Sequence, residues 1–286
     1  MLVRERLFPA DHPYHLLTIG TPKDLDAASL DDVKGFFRTW YVPSNATLVI
    51  AGDIDKAKTK ELVGKYFGPI RGGQTPPRKL APLPALAGQT RLDVSASVEL
   101  GRVYVSWPTP AFYAMGDAEL DLAARVLTGG KTSRLYKRLV YDLQIAQDVF
   151  ANQGSMQLAS VFEIVATAQP GHTGDELLKV IDEEIKKLVA EGPTDAELAR
   201  GKTVIGSQEI FDLERDATRA DRINLFNHYT GDPGYFAKDL ARYDAIAAGA
   251  VKDAARRLLP LERRVVTVVT PNKTAPICGR LDKVQP

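Results

Sequence analysis

Apolar positions along the chain alternate between a helical and a strand period, and the changes of period predict its elements. Ser29 is a good N-cap with Asp31 and Asp32 in the first turn. Val33, Phe36, Phe37 and Trp40 then share one helical face until Pro43 ends the helix. Residues 46–51, apolar but for Thr47, read as a short buried strand ending at Gly52 and Asp53. A second helix is expected over 57–67, stopped by Gly68 and Pro69, while 1–24, with Pro9, Pro13, Gly20 and Pro22, read as loop. Pro76, Pro77, Pro82 and Pro84 mark a stiff spacer.

Beyond it, strands are predicted at 90–98 and 102–107, then a helix at 117–127 broken by Gly129 and Gly130. The next helix is capped by Thr132 or Ser133 and carries Leu135, Leu139 and Leu143. Strands follow near 146–151 and 160–167, then an amphipathic helix at 173–190 with Leu177, Ile181, Ile185 and Leu188 as its stripe. A capping box from Thr194 to Glu197 opens a long helix towards Tyr229. A helix at 245–258 and a strand at 264–270 close the series. Strands and helices alternate only partly and several strands adjoin directly, so the fold class is α+β with a mixed or antiparallel sheet packed against helices.

One pattern occurs twice. Asp26-Ala27, Val33-Lys34, Arg38 and the apolar run at 46–51 are matched, at one constant offset, by Asp244-Ala245, Val251-Lys252, Arg256 and the run at 265–269. A spacing this long is no solenoid. It implies a duplicated domain that ends each time in a helix, a Pro-marked turn (Pro43, Pro260) and a strand. Only the second copy has a domain's length of chain before it. The expected layout is therefore 1–72 as the C-terminal part of one domain, 73–88 as a Pro-rich linker, and 89–286 as a complete domain.

At 44% apolar and 26% charged, the 286 residues can bury a real core. A net charge of +1 gives no basis for nucleic-acid or membrane-surface binding, and no apolar run approaches a membrane span. The start, Met1-Leu2-Val3-Arg4-Glu5-Arg6, is charged where a signal peptide would turn apolar. The single Cys278 excludes an internal disulfide and reads as a bystander in the tail after the last strand. His12 and His15 flank Pro13 without a third ligand and read as a packing loop rather than a metal site; His172 reads as a solvated turn residue and His228 as a helix-end residue. Glu183 and Glu184 read as solvated. No zinc-hydrolase signature, neither His-x-x-Glu-His nor its inverse, occurs, and there is no Gly-x-Ser-x-Gly. Gly129-Gly130-Lys131-Thr132 lacks the first glycine of a phosphate loop, because that position is Arg125.

Two stretches nevertheless carry a family resemblance. Leu30-Asp31-Asp32-Val33-Lys34, Phe37, Trp40-Tyr41-Val42-Pro43-Ser44-Asn45 and the run to Gly52-Asp53 form the first, and Leu127-Thr128-Gly129-Gly130-Lys131-Thr132-Ser133-Arg134-Leu135-Tyr136 the second. Together with Phe8-Pro9 and His12-Pro13-Tyr14, this order resembles the insulinase/pitrilysin (M16) zinc peptidases. The resemblance implies domains of the LuxS/MPP-like metallohydrolase type, 1–72 ending one of the catalytic type without its zinc motif and 89–286 forming a complete one of the C-terminal type. It also implies a zinc-dependent endopeptidase whose halves close around a peptide. The family's zinc ligands and general base precede the segment aligned with Met1. No catalytic or metal residue therefore carries over: zinc is expected in the parent protein and none in this chain, which alone should be inactive. Expected partners are a peptide or small-protein substrate and the remaining parts of the parent, or a partner M16 subunit; bacterial relatives of this architecture are often periplasmic.

The Arg and Tyr, seven apart, with which the family's zinc-free half contacts substrate align with Val140 and Gln147. That departure points to a domain from the zinc-bearing half or to a lineage lacking the pair. The family's second domain can anchor a peptide by strand addition, and Gly129, Gly130, Phe150 and Ala151 match that region; the alternative is that Gly129 and Gly130 only separate two helices. A non-catalytic scaffold of the same fold, or an unrelated α+β binding module, remain the competing readings.

Overall fold

Among the residues that the computed structural model describes, 2–77 and 80–285, six strands form one mixed sheet. They are β1 (Thr90–Ala96), β2 (Arg102–Thr109), β3 (Ala146–Gly154), β4 (Ser160–Ala168), β5 (Val265–Pro271) and β6 (Arg280–Gln285), in the order β3-β4-β2-β5-β1-β6. β1 and β5 run parallel and the other neighbours antiparallel. The helices, in chain order, are α1 (Leu2–Leu7), α2 (Pro22–Ala27), α3 (Leu30–Trp40), α4 (Lys56–Phe67), α5 (Asp117–Thr128), α6 (Arg134–Tyr136), α7 (Gly174–Glu191), α8 (Asp195–Asp212), α9 (Asp216–Thr230), α10 (Phe236–Asp244) and α11 (Ala248–Leu258). α6 runs on as a π-helical segment, Lys137–Asp142. The α+β expectation holds.

The chain forms two compact units. One holds the residues up to Leu17, Ala81–Gly206 and those from Leu240 onward; the other is Thr18–Leu80 with Ser207–Asp239. In the first unit strand alternation gives the sheet two faces. Val103, Val105, Trp107, Phe162 and Ile164 point to the side where Leu120, Leu127, Leu177, Ile181 and Val251 of the helices pack, all fully buried. Trp107 also donates its Nε1–H to the Pro260 carbonyl at 2.9 Å. On the other face Leu92, Val94 and Val265 are covered by Leu7 and Phe8. Each of these two buried side chains contributes about 1.5–3 kcal/mol. They correct the expectation of loop over 1–24: the segment forms α1, whose end is anchored on the sheet, and α2, held by a capping box between Thr21 and Asp24.

The tail after β5 is likewise not free. It returns as β6 antiparallel to β1, which places the exposed Cys278 in the turn between β5 and β6. Nor is the pair Glu183 and Glu184 solvated as expected: Arg138 reaches both, and Glu184 is buried.

The second unit is thinly packed. α3 forms as predicted, with Ser29 and Asp32 closing a capping box, but Val33, Phe36, Phe37 and Trp40 are 43–51% exposed. Neither buried apolar cluster draws a residue from this unit. Residues 46–51 do not form the expected buried strand; Leu48 and Ile50 are exposed. A strand is held by ladders to its neighbours, and among the described residues this unit has no other strand. The long helix expected up to Tyr229 breaks between α8 and α9. Arg219 donates to the Leu213 carbonyl at 2.9 Å, and Arg222 binds Glu209 at 2.5 Å, so side chains fasten a fold-back that no Gly or Pro announces.

Of the repeated unit, the helix recurs and the strand does not. α3 and α11 begin and end at the offset that separates Val33 from Val251. In the second copy the positions matching Val33, Phe37 and Tyr41, namely Val251, Ala255 and Leu259, are at most 1% exposed.

Candidate functional site

A sheet of this order has two edges, β3 and β6. β6 carries Arg280, Asp282 and Lys283, charges of the kind that blunt an edge against pairing. β3 instead presents Phe150, half exposed, and begins in a bulge between Ala146 and Asp148 that leaves Gln147 as the extra residue.

Its outward hydrogen-bonding set follows from one contact. The Ala151 N–H donates to Thr128 Oγ1 at 2.8 Å rather than to β4. In an antiparallel strand the direction alternates, so Val149, Ala151 and Gln153 face the open edge while Asp148, Phe150 and Asn152 pair with β4. Thr128 is the last residue of α5, and its hydroxyl also donates to the Ala124 carbonyl at 3.2 Å. Gly129 and Gly130 follow at once. A Cβ on Gly129 would lie 2.4 Å from the Arg125 carbonyl oxygen, and Gly130 sits at φ +120°, so this turn needs both glycines. The structure thus brings Gly129 and Gly130, through Thr128, beside Ala151, with Phe150 next to it on the opposite face of the sheet. Val140 is half-buried in the π-helical segment, and Gln147 is exposed at the bulge.

Buried polar groups hold this edge in place. Asp117, at the start of α5, is fully buried. It accepts from the Tyr113 amide (3.1 Å), Ser155 Oγ (2.5 Å) and Gln153 Nε2 (3.3 Å), and pairs with Arg242 at 3.1 Å. Gln153 is in turn fixed by Thr109 at 3.0 Å. One turn on, Asp121 accepts from the Tyr243 hydroxyl at 2.7 Å, and burial pushes its carboxyl up to about 7. Past the glycines, Arg134 grips Glu197 through two bonds of 2.8 and 2.7 Å and donates to the Gly192 carbonyl at 2.8 Å. That guanidinium holds Glu197 down at about 2.

On the sheet face that carries Phe150, Glu163 accepts from Ser106 Oγ at 2.8 Å, and burial raises its pKa. Thr128 and Glu163 escaped the sequence reading. Glu163 left a signal, as the lone charge in the otherwise apolar run of β4. Thr128 left none, since its role depends on where α5 meets β3.

The donors for zinc do not fit. His12 is buried between Phe8 and Tyr14, with ring centroids 4.8 and 5.3 Å away, and its Nδ1 receives the Tyr14 amide at 3.0 Å. His15 Nδ1 is 2.8 Å from the Phe8 carbonyl. Each ring is thus committed to local backbone, and no group of three or more His, Cys, Asp or Glu among the described residues is placed to hold a metal ion. Among the same residues no helix is long and apolar enough to cross a membrane.

Comparison with known proteins places this geometry in a family. The model of the peptidase M16 inactive domain matches residues 27–205. A zinc protease of Helicobacter pylori, PqqE, is 30% identical over 76% of this chain and 49% of its own length. An uncharacterized zinc protease of Mycobacterium leprae is 26% identical over 87% of this chain and 56% of its own length. The chain therefore spans about half the length of the curated relatives it matches. Among solved structures, a protease from Helicobacter pylori superposes with a TM-score of 0.82 at 25% identity, covering 91% of this chain and 63% of that one. The peptidase M16 inactive domain from Pseudomonas fluorescens also gives 0.82, at 17% identity over 95% of this chain and 64% of that one, a likeness of fold.

Proposed function

The chain belongs to the M16 peptidase family through its inactive domain, and on that premise we propose that it is the substrate-holding portion of a zinc-dependent endopeptidase, inactive by itself. Zinc and the hydrolytic groups belong to other parts of that peptidase. This portion binds an extended peptide by strand addition along β3, beside the turn at Gly129 and Gly130, and forms one wall of the chamber in which the peptide is cut.

The observation that carries the reading is the state of the β3 edge. Among the described residues it is unpaired by any strand on its outer side, it exposes Phe150, and its Ala151 amide is held by a side-chain hydroxyl. Such an edge supplies main-chain hydrogen bonds for affinity and alternate side chains for selection. A peptide carbonyl replaces Thr128 Oγ1 at the Ala151 amide, while the Thr128 hydroxyl keeps the Ala124 carbonyl as its acceptor. Hydrogen exchange tests this directly. Binding of an extended peptide slows exchange at Val149, Ala151 and Gln153 and leaves β6 unchanged; protection elsewhere, with β3 unaffected, rules the reading out.

A second observation favours assembly with another M16 part. The exposed row Val33, Phe36, Phe37 and Trp40 repeats a face that is buried in the second copy, where it meets helices and a sheet. We assign 1–72 to the end of a second M16-type domain, joined by the spacer 73–88 to the domain of 89–286. The row is then covered by the rest of that domain, supplied by the parent protein or a partner subunit. Exposed apolar patches of this kind mark interaction surfaces.

A further inference from the structure

We infer that the peptide held along β3 is read for a basic side chain, which crosses Asn152 to reach Glu163, with an apolar side chain two residues away over Phe150. The inference rests on strand addition at β3 and names the chemistry that addition selects.

Asp148, Phe150, Asn152 and Gly154 share the sheet face that also carries Glu163 on the neighbouring strand, and Asn152 and Glu163 are register partners. The outward groups of β3 are those of Val149, Ala151 and Gln153. An added antiparallel strand therefore meets Phe150 and Asn152 in non-hydrogen-bonded pairs, where facing side chains come closest. Phe150, half exposed, offers an apolar contact to one of them.

Asn152 is exposed and too short to shield what lies behind it. The new strand stands about 10 Å from β4, two strand spacings, and a Lys or Arg stem crosses Asn152 into the cavity that Glu163 lines, where the carboxylate turns from the Ser106 hydroxyl to meet it.

Glu163 is the group in want of a cation. Among the described residues its one hydrogen-bond partner is the neutral hydroxyl of Ser106, and no basic group there acts on its charge. Burial works against its charge. Several buried or half-buried acidic groups of the first unit are by contrast paired with a cation: Asp182 with Arg264, Glu184 with Arg138 and Lys187, Glu197 with Arg134, Asp117 with Arg242. Glu163 instead lines an open cavity of about 410 Å³ with Arg4, Met156 and Asn152. Arg4 turns to the Met156 sulfur at 3.9 Å, and further along the face Arg102 bonds to Thr167 and Tyr104. Glu163 is thus within reach of a visiting strand and answered by neither.

The test uses the full chain and two fluorescein-labelled heptapeptides, Thr-Val-Thr-Lys-Thr-Val-Thr and its Gln-for-Lys counterpart, with fluorescence anisotropy as readout. The Val residues flank the central position symmetrically, so either strand direction sets one over Phe150. The Lys peptide should bind about tenfold more tightly at low salt, the scale of one charge-assisted pair in a partly buried site, and the ratio should shrink as salt rises. Glu163→Gln, and separately Asn152→Lys, which supplies a resident cation, should each bring the ratio to about one. Equal affinities with β3 amides protected by both peptides overturn the basic preference and leave strand holding intact. A Lys preference that survives both substitutions overturns the assignment to Glu163. Failure of both peptides to protect β3 removes the inference together with the reading beneath it.

Discussion

If a peptide carbonyl takes the place of Thr128 Oγ1, then removing that oxygen should tighten binding, although it also removes a native hydrogen bond. Thr128→Ala deletes a contact of 2.8 Å to the Ala151 amide. The amide lies at the sheet edge, where water can replace the hydroxyl. The loss is then that of an ordinary hydrogen bond, about 1 kcal/mol. Ala is the better helix former by about 0.5 kcal/mol, so the net cost to folding is about 0.5 kcal/mol. For a chain of this size that is a drop of about 1–2 °C in Tm. In the wild type an incoming strand must first displace the hydroxyl; in the variant it meets a solvated amide. Peptide affinity should rise about fivefold, the equivalent of about 1 kcal/mol.

Thr128→Ser keeps the oxygen and should keep wild-type affinity. Calorimetric titration with the Lys heptapeptide measures affinity, and amide exchange confirms that Ala151 has been released. Should Thr128→Ala free that amide and yet leave affinity unchanged or weaker, the strand would not pair there, and the reasoning would fail at its first step.

The remaining predictions concern the supports of this edge and the exposed helix. Asp121 should make folding less favourable as pH rises. Its folded pKa is raised, so between about pH 4 and 7 the native state binds more protons than the unfolded chain, and stability falls across that window. Asp121→Asn, read by urea unfolding from pH 4 to 8, should flatten the curve by on the order of 2 kcal/mol; parallel curves would count against it. Glu197 acts with the opposite sign, because its pKa is depressed. Its contribution is present above about pH 4.3 and is lost as pH falls towards 2, and Arg134→Ala should remove about 2 kcal/mol at pH 7 with that acid dependence. Phe37→Asp should change stability by less than about 1 kcal/mol, whereas Ala255→Asp, at the matching position of the repeat, should cost more than about 3 kcal/mol by burying an unpaired charge. The purified chain should show no peptidase activity that a zinc chelator removes; clear activity of that kind would refute the substrate-holding assignment.

Much of the fold was legible because its signals are local. The N-cap at Ser29, the capping box at Thr194, the Gly129–Gly130 break and the Pro43 stop are written in neighbouring residues, and the helix ends they mark appear where expected, although the helix opened at Thr194 stops at Asp212. The elements that escaped depend on distant partners. α1 ends on Leu7 and Phe8, which matter only because Leu92 and Val265 lie beneath them. β6 is polar in sequence and becomes a strand because β1 offers it an edge. The break between α8 and α9 rests on Arg219 and Arg222 reaching backwards. For the proposed site, Gly129 and Gly130 stand in a stretch that carries the family resemblance and Phe150 with Ala151 followed only from what that resemblance implies, whereas the contact of Thr128 with Ala151 and the pairing of Glu163 with Ser106 depend on geometry that no periodicity records.

The repeat shows the same division within one protein. Its two copies match in helix bounds, capping position and apolar run, yet one run is the parallel partner of β1 and the other forms no strand. Local propensity is nearly constant between them, so the difference must come from what each run can pair with and what each helix can bury. β5 is flanked by β1 and β2, and Val251, Ala254 and Ala255 are covered. Residues 46–51 and the α3 face lack both neighbours. A strand and an apolar helix face that are preformed in sequence but unpaired in space specify the shape of what covers them: a sheet edge for the run and apolar side chains for the helix. If 1–72 is the end of a second M16-type domain, as proposed, the parallel neighbour is a strand equivalent to β1, a requirement that a partner of unrelated fold would not meet.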